Sequence, residues 1–219
     1  MAEIGKFYHL SYEVLQPLGF VGSWEISKEQ HVDVIRRTFS NNGKHDLSVL
    51  YLGTATAKNP LDVKDAISEL GYASDITVVD LASRPLRKLH KKDSTVKAIK
   101  LDACSVPFSD SSFDVVTTDF LFNMCSLEQC EKIVGEIGRV LTPDGVTTMT
   151  VFTKENHVNN AQSFLINNLS RKHFASEWDW IRVFDKAGMN LDIQVFKARR
   201  KPFLYHTDHF TQLIARRRI

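Results

Sequence analysis

Two aspartates, each closing a strand-like segment, carry the first chemical signal in this chain. Ile76–Asp80 (ITVVD) ends on Asp80, and Lys97–Asp102 (KAIKLD) ends on Asp102. A carboxylate at the tip of a buried strand can accept hydrogen bonds from a pair of hydroxyls, or it can cap the helix that follows. Ahead of both, Leu47–Ala55 (LSVLYLGTA) runs from apolar residues into a small-residue turn. Gly53 at that turn lets the backbone bend sharply and pass close to a ligand. Other clusters read more simply. Cys104, Cys125 and Cys130 lack the spacing of a zinc pair and fit core or helix-surface thiols. His206, Asp208 and His209 would need to converge to hold an ion, whereas a hairpin turn accounts for them without one, so no metal is expected.

The elements that must position these residues follow from periodicity. Ser27 with Gln30 forms a capping box behind Ile26, and Val32, Ile35 and Phe39 then recur at helical spacing. Ser40–Asp46 (SNNGKHD) is a polar link. From Leu47 strands and helices alternate, the pattern of a parallel sheet with crossover helices. Asn59 and Pro60 open a helix that stops at Gly71, and Ser83 with Pro85 opens another. Ser126 with Gln129 forms a second capping box, ahead of an apolar stripe of Cys130, Ile133, Val134, Ile137, Val140 and Leu141. Thr142–Gly145 breaks that helix before the strand Val146–Phe152. Ala175–Ala187 then reads as a helix, followed by strands Leu191–Ala198 and His209–Arg217.

The 219 residues suit one domain with a sizeable core, and an apolar fraction of 43% with 25% charged residues is ordinary for a globular protein. A net charge of +2 does not by itself argue for nucleic acid or membrane. No apolar run approaches the roughly 20 residues of a membrane helix. The opening MAEIGKFYHL lacks a secretory layout, and three cysteines do not make a disulfide framework, which together favour a reducing, cytoplasmic setting.

Two phrases give the series a family likeness. Pro107-Phe108 followed by Asp110-Ser111-Ser112-Phe113-Asp114, and Arg139-Val140-Leu141-Thr142-Pro143-Asp144-Gly145, stand in order after the two strand-tip acids. With them, residues 47–152 resemble class I S-adenosylmethionine (SAM)-dependent methyltransferases, especially the branch that modifies small molecules. The resemblance implies an α/β, Rossmann-like fold. Its sheet would be mostly parallel and seven-stranded, with an antiparallel edge strand and helices on both faces. Residues 1–46 would then form an N-terminal helical cap or lid and residues 47–219 the methyltransferase domain. It implies SAM as cofactor, held by Gly53, Thr54 and Ala55 at the turn, Asp80 and Leu81 at ribose and adenine, Asp102 and Ala103 at the adenine edge, and Asp119 and Phe120 beside the methyl group.

The chain departs from the pattern at three points. Gly53–Ala57 reads G-T-A-T-A where the family has G-x-G-x-G, Tyr51 replaces an acidic residue, and the interval from Gly53 to Asp80 is long. Methyl transfer to a small-molecule acceptor by in-line displacement is the expected activity, with the protein chiefly aligning the reactants. A base is needed only where the acceptor must lose a proton, and Asp119 is then the first candidate, followed by His31 and Asn123. Two rival readings stand beside it. The irregular turn suits a catalytically weakened SAM-binding or protein-interaction module, and the arginines of Ala198–Lys201 and Ala215–Ile219 suit an RNA methyltransferase. Charged edge strands explain the same arginines without a partner.

Overall fold

A computed structural model of the chain describes residues 28–40, 43–54, 58–153, 175–197 and 209–218. Its elements run α1 (Lys28–Phe39), β1 (Asp46–Leu52), α2 (Lys58–Glu69), β2 (Ala73–Asp80), α3 (Ser83–Lys92), β3 (Lys97–Lys100), β4 (Phe113–Asp119), a short 3-10 turn (Phe122–Met124), α4 (Leu127–Val140), β5 (Leu141–Val151), α5 (Glu177–Lys186), β6 (Met189–Lys197) and β7 (His209–Arg217). The strands form one seven-stranded sheet in the order β3-β2-β1-β4-β5-β7-β6. Every pair from β3 to β5 is parallel. β7 runs antiparallel between β5 and β6, which places the expected antiparallel pairing at that end of the sheet.

Helices cover both faces, so the central strands are apolar on both sides rather than alternating. Along β1, Val49 and Tyr51 face α1, α2 and α3, while Leu50 and Leu52 face α4 and α5. α1 buries His31, Val34, Ile35 and Phe39, a stripe shifted from the Val32-Ile35-Phe39 spacing read in sequence. Its Val34, Ile35 and Phe39 join the core of β1 and β2. Ser27 and residues 1–26 lie outside the described residues.

Several local signals act as expected. Ser126 and Gln129 bond reciprocally at the start of α4, and Gly71 and Gly188 take positive φ after α2 and α5. A further reciprocal box, Ser176 with Asp179, starts α5. One expectation is corrected: α2 begins at Lys58, so Asn59 lies inside the helix and does not cap it. β3 likewise stops at Lys100, leaving Asp102 in the loop beyond. β5 begins at Leu141, with a register shift between the Phe113–Leu141 and Val115–Val146 pairs that absorbs Thr142–Gly145. Among the described residues no helix is long and apolar enough to cross a membrane.

Candidate functional site

In this sheet the strand order reverses between β1 and β4, and ligands of open α/β sheets bind outside the carboxyl ends of strands at such a point. The sequence places its candidate residues along this rim. Gly53 leaves β1 with φ of 77°, and its N–H donates to the Val79 carbonyl at 2.7 Å. A side chain there would carry an unfavourable backbone conformation, and its Cβ would stand 3.3 Å from Leu121 Cδ1. The following Thr54 is buried and donates twice to Asp80 Oδ2, from its N–H and from its hydroxyl, each at 2.7 Å. The other carboxylate oxygen accepts the Ala82 N–H at 2.7 Å. Asp80 therefore ties the glycine turn to the tip of β2 and holds its charge at the rim.

Beside it, the Leu81 side chain is 55% exposed, an unusual state for leucine and an apolar surface next to a carboxylate. Asp102 and Ala103 lie on the neighbouring loop, half-buried, and the Leu101 N–H joins that loop to the Asp80 carbonyl at 3.1 Å. Asp102 Oδ1 accepts the Cys104 N–H at 2.9 Å in a local turn. Burial, with the Asp102 charge next in importance, pushes the Cys104 thiol up to about 11, so this sulfur is a poor nucleophile. The backbone of the Asp102 loop thus adjoins the tip of β2, with Asp102 itself past the end of β3. Ala55 lies outside the described residues.

At the end of β4 the rim is built differently. Asp119 is buried, and its carboxylate is enclosed by side chains from three elements. His31 Nε2 of α1 lies 3.2 Å from Oδ1, Tyr51 of β1 donates its hydroxyl to Oδ2 at 2.5 Å, and the Asn59 amide of α2 donates to Oδ2 at 3.3 Å. The far nitrogen of His31 meets Thr148 Oγ1 at 3.1 Å and Thr117 Oγ1 at 3.3 Å, and Gln212 donates to Thr148 Oγ1 at 2.8 Å. Burial alone would raise the Asp119 pKa. The charge and hydrogen bond of His31, with the Tyr51 hydroxyl, outweigh it and hold the carboxyl down at about 2.

Asn123, four residues on, clamps the main chain of Phe152. Its amide donates to the Phe152 carbonyl at 2.8 Å and its carbonyl accepts the Phe152 N–H at 2.9 Å. Phe120 has φ of 57° and packs on Phe152 and Phe210 at ring separations of 5.0 and 5.8 Å. Asp119 and His31 are therefore in direct contact, while Asn123 serves a separate clamp.

Tyr51, Asn59, Thr117, Thr148 and Gln212 are the members of this cluster that sequence reasoning did not assign to the site. A signal for Tyr51 existed: a phenol inside an otherwise aliphatic strand needs a buried hydrogen-bond partner. Asn59 carried a competing signal, because asparagine before proline reads as a cap.

Comparison with known proteins agrees with this architecture. Residues 52–149 match the family model described as a methyltransferase domain. A demethylmenaquinone methyltransferase of Thermus thermophilus is 32% identical over 101 residues, which are 44% of this chain and 43% of that one. The chain thus spans less than half the length of this curated relative. A SAM-dependent methyltransferase of Methanosarcina mazei superposes with a TM-score of 0.64 at 16% identity, over 81% of this chain and 95% of that one. A phosphoethanolamine N-methyltransferase of Haemonchus contortus, solved with S-adenosylhomocysteine, gives 0.64 at 16% identity over 87% of this chain and 53% of that one. Family model, curated relative and solved structures agree: over residues 52–149 this chain is similar to methyltransferase domains, and its fold is similar to that of SAM-dependent methyltransferases.

Proposed function

We propose that this protein transfers a methyl group from SAM to a small-molecule acceptor. The observation that carries the reading is Asp80. Its carboxylate sits at the tip of β2, fixed by Thr54 of the glycine turn and by the Ala82 N–H, with the exposed Leu81 beside it. These residues fit the cofactor's chemistry. A carboxylate can accept from a ribose diol, an exposed apolar side chain can cover an adenine face, and a glycine at positive φ leaves the backbone open to a ligand. Gly53, Thr54, Asp80, Leu81, Asp102 and Ala103 would hold the nucleoside end.

Bound SAM supplies an already activated methyl group on a sulfonium. The protein's task is then alignment and the exclusion of water, which can contribute about 7–11 kcal/mol to lowering the barrier. Asp119, His31 and Asn123 serve this task as positioning groups. Asp119 and His31 fix the end of β4 against β1 and α1, and Asn123 fixes the turn beyond it against Phe152. With a pKa near 2 and its oxygens bonded inside the protein, Asp119 has little basicity to offer an acceptor. The rings of Phe120, Phe152 and Phe210 at the ends of β4 and β5 and the start of β7 support an acceptor with an apolar body.

Isothermal titration with S-adenosylhomocysteine tests the cofactor half, and methyl transfer from labelled SAM to a panel of small acceptors tests the other. Absence of binding at millimolar nucleoside refutes the proposal. Tight binding with no product across the panel favours instead the weakened SAM-binding module, the reading motivated by the Ala residues of the turn and by Tyr51.

A further inference from the structure

The charge of this molecule is unevenly placed. Between Leu81 and Leu101 stand seven basic residues, Arg84, Arg87, Lys88, Lys91, Lys92, Lys97 and Lys100, against one acid, Asp93, in a chain whose formal net charge is only +2. Asp93 is itself bound by Lys64, a residue of α2, and Lys97 is paired with Asp75 of β2. α3 carries five of the seven. At 3.6 residues per turn, Arg84, Arg87, Lys88 and Lys91 fall on one face, and all four are exposed. The opposite face buries Leu86 and Leu89. The first turn of α3 carries no acid, so the helix dipole does not account for this distribution, since it favours cations only at the last turn. β3, the edge strand beside α3, adds the exposed Lys100, which is in register with Asp80. The row of cations therefore starts at the rim of the nucleoside site and runs about 10 Å along α3.

We propose that this face of α3 and the edge of β3 dock a single-stranded polynucleotide through its phosphates. The chemistry selects among occupants. SAM bears a sulfonium, an ammonium and one carboxylate, so a positive face repels rather than guides it. A lipid surface is entered by the apolar face of an amphipathic helix, and here that face is spent in the core through Leu86 and Leu89. Protein partners favour aromatic-centred surfaces depleted in lysine, and the outward positions of α3 hold only Arg, Lys and His. A single file of cations matches one line of phosphates, whereas a duplex groove presents two.

Arg216, Arg217 and Arg218 at the C-terminal end make their contacts toward the other end of the sheet. Arg216 donates to Thr38, Arg217 to the Leu141 carbonyl and Ser111, and Arg218 to Asp185 and Asn190. The polyanion face thus lies on the opposite edge of the sheet from the arginine run that draws attention in the sequence.

The test is fluorescence anisotropy of the full chain with labelled U20 and T20 across 50–200 mM KCl. Because phosphate contacts do not read the sugar, both oligomers are expected to bind alike. Four contacts predict a slope of log K against log salt of about −3. R87Q/K91Q is expected to reduce that slope by about 1.4 and to weaken binding at 50 mM KCl by about tenfold or more. K132Q/K186Q removes two lysines that pair with Glu128 and Glu131 on another face and is expected to leave both values unchanged. The proposal is overturned by absence of binding, by equal losses in the two variants, by tighter binding to a U20–A20 duplex, or by preferential binding to phosphatidylserine vesicles.

Discussion

Replacing Asp119 by Asn gives the sharpest test of how the rim of β4 is held. The substitution keeps the shape and removes the charge that faces His31 Nε2 at 3.2 Å. Both side chains are buried, so the histidine is left beside an amide, with the Tyr51 hydroxyl and the Asn59 amide competing for one acceptor. Removing one member of a buried pair costs roughly 3–5 kcal/mol, because the remaining group stays desolvated. For a domain of this size that corresponds to a fall in Tm of roughly 10 °C. Urea unfolding of wild type, D119N, H31Q and the double variant, followed by circular dichroism, gives the coupling directly. The two losses are expected to be non-additive by about 1–3 kcal/mol.

The pH dependence adds a second readout. Asp119 is held at about 2 against an ordinary 3.8, a depression worth about 2 kcal/mol. A carboxyl with a lowered folded-state pKa stabilises above its unfolded value and loses that contribution as pH falls through the folded one. The gap between wild type and D119N should therefore shrink as pH falls from 4 to about 2. A D119N variant within 1 kcal/mol of wild type, or an additive cycle, would refute the ion-pair account.

Three further substitutions probe separate parts of the framework. Asp80→Asn is expected to weaken S-adenosylhomocysteine binding by roughly 10- to 100-fold in a calorimeter, since a charge-assisted bond is worth about 1.5–3 kcal/mol. Thr54→Val, which leaves the backbone donor in place, should cost about 1 kcal/mol of stability and little affinity. Gly145→Ala would put a Cβ 2.8 Å from Thr142 Oγ1 and 2.9 Å from the Asp114 carbonyl, so a loss of about 1–3 kcal/mol is expected in urea unfolding, with nucleoside affinity preserved.

Much of the scaffold was readable because its signals are local. Capping boxes, glycine stops and apolar runs each report on a few neighbouring residues, and β1, β2, α4 and β7 fall where those signals put them. Asp80 was readable for the same reason, as it ends an apolar run and closes β2, whereas Asp102 lies in the loop beyond the end of β3. What escaped was long-range. His31 lies 88 residues from Asp119, Tyr51 lies 68 and Asn59 lies 60, and no local pattern announces that three elements will meet on one carboxylate. His31 on an apolar helix face was visible as a candidate, but its partner was not. The start of α2 failed because a tertiary bond from Asn59 took precedence over its capping tendency. The shifted stripe of α1 has a like cause: a buried histidine stands where periodicity alone would place an aliphatic residue.

The two phrases that make the family recognisable turn out to hold each other. Arg139 donates to the carbonyls of Val106 and Phe108 and to Asp110, while the Arg139 and Val140 carbonyls accept the N–H groups of Ser111 and Ser112. Asp114 accepts from Lys44, from the Ser48 N–H at 3.1 Å and from Thr142 at 3.2 Å, and Gly145 has no room for a side chain beside it. All of this fixes the entry of β4 and β5, at the opposite end of the sheet from the rim. The phrases therefore determine where β4 is aimed and say nothing of what it meets. At the far end the carboxylate is engaged by His31, Tyr51 and Asn59, from a stretch of sequence that lies outside both phrases. Whatever sets this protein apart from its relatives in acceptor or rate is then to be sought under the switch point, in the contacts of α1 and α2, rather than in the phrases by which the family is known.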